Sequence, residues 1–190
     1  DDKHDFNEEH FDVGSLSPLS VEFNHPIYIL FSSGTTGKPK AITHGTGAMI
    51  LEHCKALGLH QDVLKGERYF WYSTTGWMMY NYSLSALLLG ATLCIYEGDS
   101  FFPDPDELWN FTSKATINHF GHGSVYYQKL LENIPDHCNA SKQPWIKTIA
   151  ATGSVLYPEV AKNLQRIFPK AHIISLSGGT DVCSAFLGGL

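Results

Sequence analysis

Short runs of Ile, Val, Tyr, Phe and Thr alternate along this chain with longer stretches whose apolar residues recur at helical spacing. The runs predict strands over Ile27–Ser32, Ala41–Thr43, Arg68–Ser73, Thr92–Tyr96, Thr116–Phe120, Thr148–Ala151 and His172–Leu176. Most are too continuous for a sheet with one wet face and suit parallel strands buried on both. Between them, Ile50, Cys54 and Leu57 predict a helix after the glycines at 45 and 47. Asp104-Pro105 reads as an N-cap followed by a first-turn proline, opening a helix through Trp109 and Phe111. A helix from Val125 to Asn133 ends at Pro135. Val160, Leu164, Ile167 and Phe168 form the clearest apolar face, opened by Tyr157-Pro158-Glu159 and closed by Pro169. Strands alternating with helices of this length predict βαβ units and a layered α/β sheet, with ligands at the carboxyl edge of the strands. Residues 1–24, polar and acidic, predict an irregular lead-in to a unit over 25–190, and Ile134–Pro144 a long irregular insertion.

Composition narrows the partners. The 190 residues are 43% hydrophobic and 17% charged, a balance suited to one globular unit with a core. A net charge of -6 and a pI near 5.9 oppose the basic field that a phosphate backbone requires, so no nucleic-acid partner is expected. No apolar run is long enough to span a bilayer, and the opening Asp1-Asp2-Lys3-His4-Asp5 is the opposite of a secretory leader. Cys54, Cys94, Cys138 and Cys183 form no C-x-x-C pair and predict reduced, structural thiols in a cytosolic protein. Among ten histidines, only His119-x-x-His122 has ligand-like spacing, and no Cys or carboxylate set completes a zinc site around it. His44 follows the second predicted strand and is placed to hydrogen-bond near the loop before it.

That loop is the strongest local signal: Phe31-Ser32-Ser33-Gly34-Thr35-Thr36-Gly37-Lys38-Pro39-Lys40, immediately after an apolar strand. Glycines let the backbone turn sharply and bring N–H groups to phosphate oxygens, the hydroxyls add donors, and the lysines add positive charge. Such a loop suits a triphosphate. A Walker A loop is excluded, because Gly34 and Gly37 are too close together and Lys38 is followed by Pro39 rather than a hydroxyl residue. Two further hydroxyl- and glycine-rich turns follow predicted strands, Ala151-Thr152-Gly153-Ser154-Val155 and Ser177-Gly178-Gly179-Thr180-Asp181. Each alone reads equally well as an ordinary turn.

Together these residues resemble the adenylate-forming superfamily of acyl-CoA synthetases, luciferases and peptide-synthetase adenylation domains. Ala41 stands where that signature usually has glycine, a departure that sits better with short-chain acyl-CoA synthetases. The resemblance implies that Ser32, Ser33, Gly34, Thr35, Thr36, Gly37 and Lys38 hold the ATP phosphates. It further implies that Gly153, Ser154, Val155, Ser177, Gly178 and Gly179 lie against adenine. Trp77, Met78, Met79, Thr152 and Gly178 would shape the acyl pocket, although an aromatic and two methionines fill core space equally well. Thr180 would contact the α-phosphate, and Asp181, where Glu is usual, would help hold magnesium with the phosphates. Lys38 and Thr180 would carry the catalytic contacts. Acetate-activating relatives have Trp at the position of Gly178, which predicts room for a larger acid, acetoacetate being the expected one. ATP, magnesium and CoA are the implied reactants, passing through an acyl-adenylate to a thioester. The ribose-binding Asp and a C-terminal domain carrying a catalytic Lys have no recognisable counterpart here and are expected outside this chain. Other short- or medium-chain synthetases, a non-catalytic nucleotide-binding remnant and a ligand-free structural fragment remain as alternatives.

Overall fold

The computed structural model describes residues 17–32, 37–133 and 143–188. Pro26–Ser32 (β1) and Lys40–Gly45 (β2) pair antiparallel, with Phe31 opposite Ala41 and Ser32 opposite Lys40, so the predicted phosphate loop is the connection of a two-stranded ribbon. Expected burial on both faces fails for β1. Tyr28 and Leu30 pack inward, whereas Ile27, Ile29 and Phe31 are exposed, because a two-stranded ribbon has only one face against the core. Thr46–Cys54 (α1) follows at once and runs on into a π-helical stretch, Lys55–His60. Its buried stripe is Met49, His53, Ala56 and Leu57; Ile50, expected inside, faces out.

The remaining apolar runs form one parallel sheet. Its strands are Arg68–Trp71 (β3), Thr92–Cys94 (β4), His119–Gly123 (β5), Thr148–Thr152 (β6) and His172–Ser175 (β7), in spatial order β4-β3-β5-β6-β7. Strand β5 begins three residues later than predicted, because Thr116 turns at φ +47 and Ile117 donates to Thr112, finishing the preceding helix. The chain leaves β3 toward β4 and returns past it to β5, so the winding reverses between β3 and β5, where open α/β sheets place ligands.

Alternation along the strands divides the core in two. Phe70, Phe120, Ile149 and Ala151 face Glu107–Lys114 (α3), Ser124–Asn133 (α4) and Pro158–Ile167 (α5). Tyr69, Trp71, Ala150 and Ile174 face α1 and Met78–Leu84 (α2), a helix the sequence pattern did not predict. Helix α5 starts at Pro158 after an extended Tyr157, as expected, with Glu159 and Arg166 complementing its two ends. Helix α3 starts two residues after Pro105. Asp104 accepts the N–H groups of Asp106 and Glu107 and closes a turn before the helix, so Asp104 caps that turn and not the helix. In the sheet centre Gly121 has a packing reason: a Cβ there would lie 2.1 Å from the Trp71 ring.

At the amino edge of the sheet the charges pair. Glu67 accepts from His119 Nε2 and Lys147 Nζ, both at 2.8 Å, and Lys147 also reaches Asp62 at 3.4 Å. Burial pulls the Glu67 carboxyl upward, but its bonds from His119, Lys147 and the Leu64 N–H outweigh that and hold it below its ordinary value. His122, three residues along β5, points to the other face, so the two histidines cannot share an ion. It stacks between Tyr72 and Tyr126 at 4.4 and 4.0 Å, and burial pushes its pKa down to about 3.

Candidate functional site

Two of the three motifs follow strands of the parallel sheet at its carboxyl edge, and the ribbon that bears the third is tied to them. After β7 the chain forms a small antiparallel hairpin, Ser177–Gly179 (β8) with Ser184–Leu187 (β9), whose turn holds Thr180 and Asp181. This hairpin was not foreseen: Ser177-Gly178-Gly179 has strand geometry only because β9 pairs with it. His44, buried in β2, donates its Nε2–H to the Thr180 carbonyl at 2.9 Å. The phosphate-loop ribbon is thereby tied to the Thr180–Asp181 turn across 136 positions of sequence.

The second turn leaves β6 at Thr152. Ser124, first residue of α4, donates to the Ser154 carbonyl at 2.8 Å, and the Thr152 hydroxyl donates to Leu176 at 2.8 Å. The first bond ties the end of β6 to the end of β5, and the second ties it to the end of β7. Gly153 sits at φ +85, a left-handed conformation that favours glycine, with the Trp77 ring 3.6 Å from where a side chain would begin.

Two hollows open on this framework. A small one, about 90 Å³, is lined by Trp77, Met78, Met79, Thr152, Gly178 and Thr180, among others. It thus gathers all five residues expected at an acyl pocket, with Met78 and Met79 also serving the core. The other, about 400 Å³, is lined by Gly153, Ser154, Val155, Ser177 and Gly178. Those are the positions expected against adenine, except Gly179, which lines the smaller hollow. The hollows share Thr152, Gly153, Leu176 and Gly178, so they are neighbours on this framework.

Gly178 acts differently from its sequence reading. A Cβ on it would lie 1.9 Å from the Ser184 carbonyl oxygen and 2.8 Å from Ala185 Cα. The missing side chain therefore admits the backbone of β9, and the space expected for a larger acid is taken by that strand. Ser184 and Ala185, which line the small hollow, were missed because β9 was not foreseen; Tyr82 of α2 lines it too.

Of the phosphate-loop residues, Ser32 ends β1, Gly37 turns at φ +135 in open space, and Lys38 is exposed. Ser33, Gly34, Thr35 and Thr36 lie outside the described residues. Asp181 is exposed beside the half-buried Thr180. No group of three His, Cys, Asp or Glu side chains comes together as a metal cage among the described residues. A single exposed carboxylate fits a magnesium ion that arrives with a polyphosphate supplying the other oxygens.

Several known proteins resemble this chain. The AMP-binding enzyme family matches residues 2–189. The acetoacetyl-coenzyme A synthetase of Rhizobium meliloti is 38% identical over 180 residues, 94% of this chain and 28% of that protein. The acetoacetyl-CoA synthetase of Mus musculus is 35% identical over 169 residues, 88% of this chain and 25% of that protein. The structure of acetoacetyl-CoA synthetase from Streptomyces lividans superposes with a TM-score of 0.82 at 40% identity, over 90% of this chain and 27% of that one. The chain thus spans about a quarter of the length of the relatives it matches.

Proposed function

The chain belongs to the family of AMP-binding enzymes, and on that premise we propose that it forms the nucleotide- and acid-binding part of an AMP-forming acid–thiol ligase acting on acetoacetate. The observation that carries this reading is the His44–Thr180 bond, which joins the ribbon bearing the phosphate loop to the hollow walled by Trp77, Met78, Met79 and the Thr152–Gly153 turn. Acetoacetate is favoured by the likeness to the relatives above and not by an opening at Gly178.

In the proposed reaction a carboxylate oxygen of acetoacetate attacks the α-phosphorus of the magnesium salt of ATP. The bond to pyrophosphate breaks, leaving acetoacetyl-adenylate. The thiol of CoA then attacks the activated carbonyl, loses its proton, and AMP departs with the bonding pair. The side chains work by placement and charge. Amides and hydroxyls of the loop from Ser32 to Lys38 would hold the phosphates, with Lys38 offsetting negative charge as pyrophosphate leaves. Thr180 would donate to the α-phosphate, and Asp181 would face the magnesium carried by ATP. Gly153, Ser154, Val155 and Ser177 would receive adenine in the 400 Å³ hollow, and the α-phosphate would then extend toward the acid. No protein nucleophile is required.

Residues 25–190 would then be part of an AMP-binding domain, and the ribose-binding Asp and catalytic Lys would come from the remainder of a longer protein. The free thiols of Cys54, Cys94 and Cys183 suit a reducing compartment such as the cytosol; Cys138 lies outside the described residues. The test is acid-dependent ATP–pyrophosphate exchange by the natural-length protein with acetoacetate, acetate, propionate, butyrate or no acid. Exchange driven best by acetoacetate is expected. Preference for another acid overturns the substrate, and no exchange by a folded protein that binds ATP overturns the reaction.

A further inference from the structure

The Thr180–Cys183 turn is held in place by side chains to which the proposed chemistry gives no role. His53, fully buried on the inner stripe of α1, has its Nε2 2.7 Å from the Cys183 carbonyl and its Nδ1 2.7 Å from the Ser85 hydroxyl. A carbonyl only accepts, so Nε2 carries the proton and Ser85 donates to Nδ1. Both partners come from outside α1, and together they leave the ring one tautomer and one orientation. Burial holds the His53 pKa below its ordinary value, which keeps the ring neutral.

The group that His53 holds is unusual. Cys183 is completely buried and lies at φ +48, a left-handed conformation that a residue with a Cβ seldom adopts. Such a conformation persists only where its surroundings over-determine it, and it collects at functional sites. Here His53 bonds its carbonyl, and the Cys183 N–H bonds Thr180 O at 3.3 Å, closing the turn that presents Thr180 and Asp181. Two further bonds brace it: His44 Nε2–H to Thr180 O, and the Ser184 hydroxyl to Glu52 Oε1 at 2.8 Å. The His53 ring also meets Tyr82, in the wall of the small hollow, edge-on at 5.2 Å.

We propose that His53 is a positioning residue of this site: its Nε2–H holds Cys183 in the left-handed conformation and thereby aims Thr180 and Asp181 at the phosphates of magnesium-bound ATP. The inference rests on the adenylation reading. Misplacement of a reacting or charge-bearing group by about 1 Å costs up to about 100-fold in rate without removing any catalytic group.

The test uses the natural-length protein, with exchange kinetics at varied MgATP and acid and calorimetric titration with MgATP. His53→Phe fills the same space without either hydrogen bond. It is expected to lower the maximal exchange rate about 10- to 100-fold and to weaken MgATP binding, with the KM for the acid unchanged. His53→Gln places an amide N–H near the position of Nε2 and is expected to recover exchange to within about threefold of wild type. A folded Phe variant with wild-type exchange and MgATP binding overturns the proposal, as does a Gln variant as impaired as Phe. Should the Phe variant not fold, Ser85→Ala removes the bond that orients the ring from its Nδ1 side and leaves the Nε2–H donor to Cys183 in place. An expected loss of about 3- to 10-fold in exchange by the folded variant supports the proposal, and wild-type kinetics overturns it. An inactive wild-type protein overturns the adenylation reading and this proposal together, whereas an active one with indifferent His53 and Ser85 variants overturns this proposal alone.

Discussion

The two edges of the parallel sheet are both hollowed, yet they are built on opposite principles. At the amino edge a hollow of about 440 Å³ is bordered by Asp62 and Lys147, and these charges are already paired through the Glu67–His119 network. At the carboxyl edge the hollows are smaller, and their walls combine hydroxyls and glycine backbone with apolar side chains such as Trp77, Met78, Met79 and Val155. A paired carboxylate has little left to offer a ligand, whereas an exposed Asp181 and a half-buried Thr180 on a braced turn have most of their capacity unspent. Size therefore does not mark the site. What marks it is polar capacity left over after folding, held in place by residues such as His44 and Ser124 that have spent theirs.

Substitutions at the two edges should separate this division into activity and stability. The largest effect is expected at Gly178. Alanine there drives a Cβ into the Ser184 carbonyl and parts β8 from β9, and exchange by the natural-length protein should fall at least about 100-fold. The matching change in the sheet interior, Gly121→Ala, pushes on the Trp71 ring. Overpacking of that kind costs about 1–3 kcal/mol, so it should lower Tm and leave exchange per folded molecule intact. If Gly178→Ala lowers only Tm, the hairpin is scaffold and the division fails.

Next come the exposed groups. Thr180→Ala and Asp181→Asn should each slow exchange about 10- to 100-fold with Tm held to within about 2 °C, because neither side chain is buried. Unchanged exchange rates would move the chemistry elsewhere. The converse is Glu67→Gln, which leaves Lys147 and a buried His119 short of their partner. A loss of about 1–3 kcal/mol is expected, read as a fall of about 2–4 °C in Tm per kcal/mol, with exchange kinetics unaltered.

The smallest effect at neutral pH, and the sharpest in acid, concerns protonation. His122 stays neutral in the folded chain down to about 3, whereas an unfolded histidine takes a proton near 6.5. Between those values the unfolded state binds more protons, so stability falls as pH is lowered from 6.5 toward 3. Replacing His122 by Phe should flatten the Tm profile across that window. Glu67 behaves differently, since its folded pKa lies below the ordinary 4.5. Its contribution is present above 4.5 and is lost only as pH falls further, so Glu67→Gln should flatten the profile below 4.5. Thermal melts across pH read both slopes, and a wild-type slope above 4.5 in the His122 variant would refute the assignment.

Continuous runs such as Thr148–Ala151 were legible as buried parallel strands because burial on both faces leaves no polar register to confuse them. Pro158 marked a helix start, and the glycine- and hydroxyl-rich turns marked the stretches from which the proposed site is built. Those are local facts of backbone geometry and burial, and one stretch of chain carries each of them. Other features arose only when distant stretches met. The Ser177–Gly179 strand exists because Ser184–Leu187 lies beside it, and that strand takes the space a side chain at Gly178 would fill. The exposure of Ile29 and Phe31 followed from β1 having a single neighbour. His53 was written into the buried stripe of α1, in step with Met49 and Leu57, but its meaning depended on Cys183, 130 positions away. A chain position sets what a side chain can offer; which offers are taken up by the fold, and which remain for a ligand, is decided by contacts between segments that no local pattern contains.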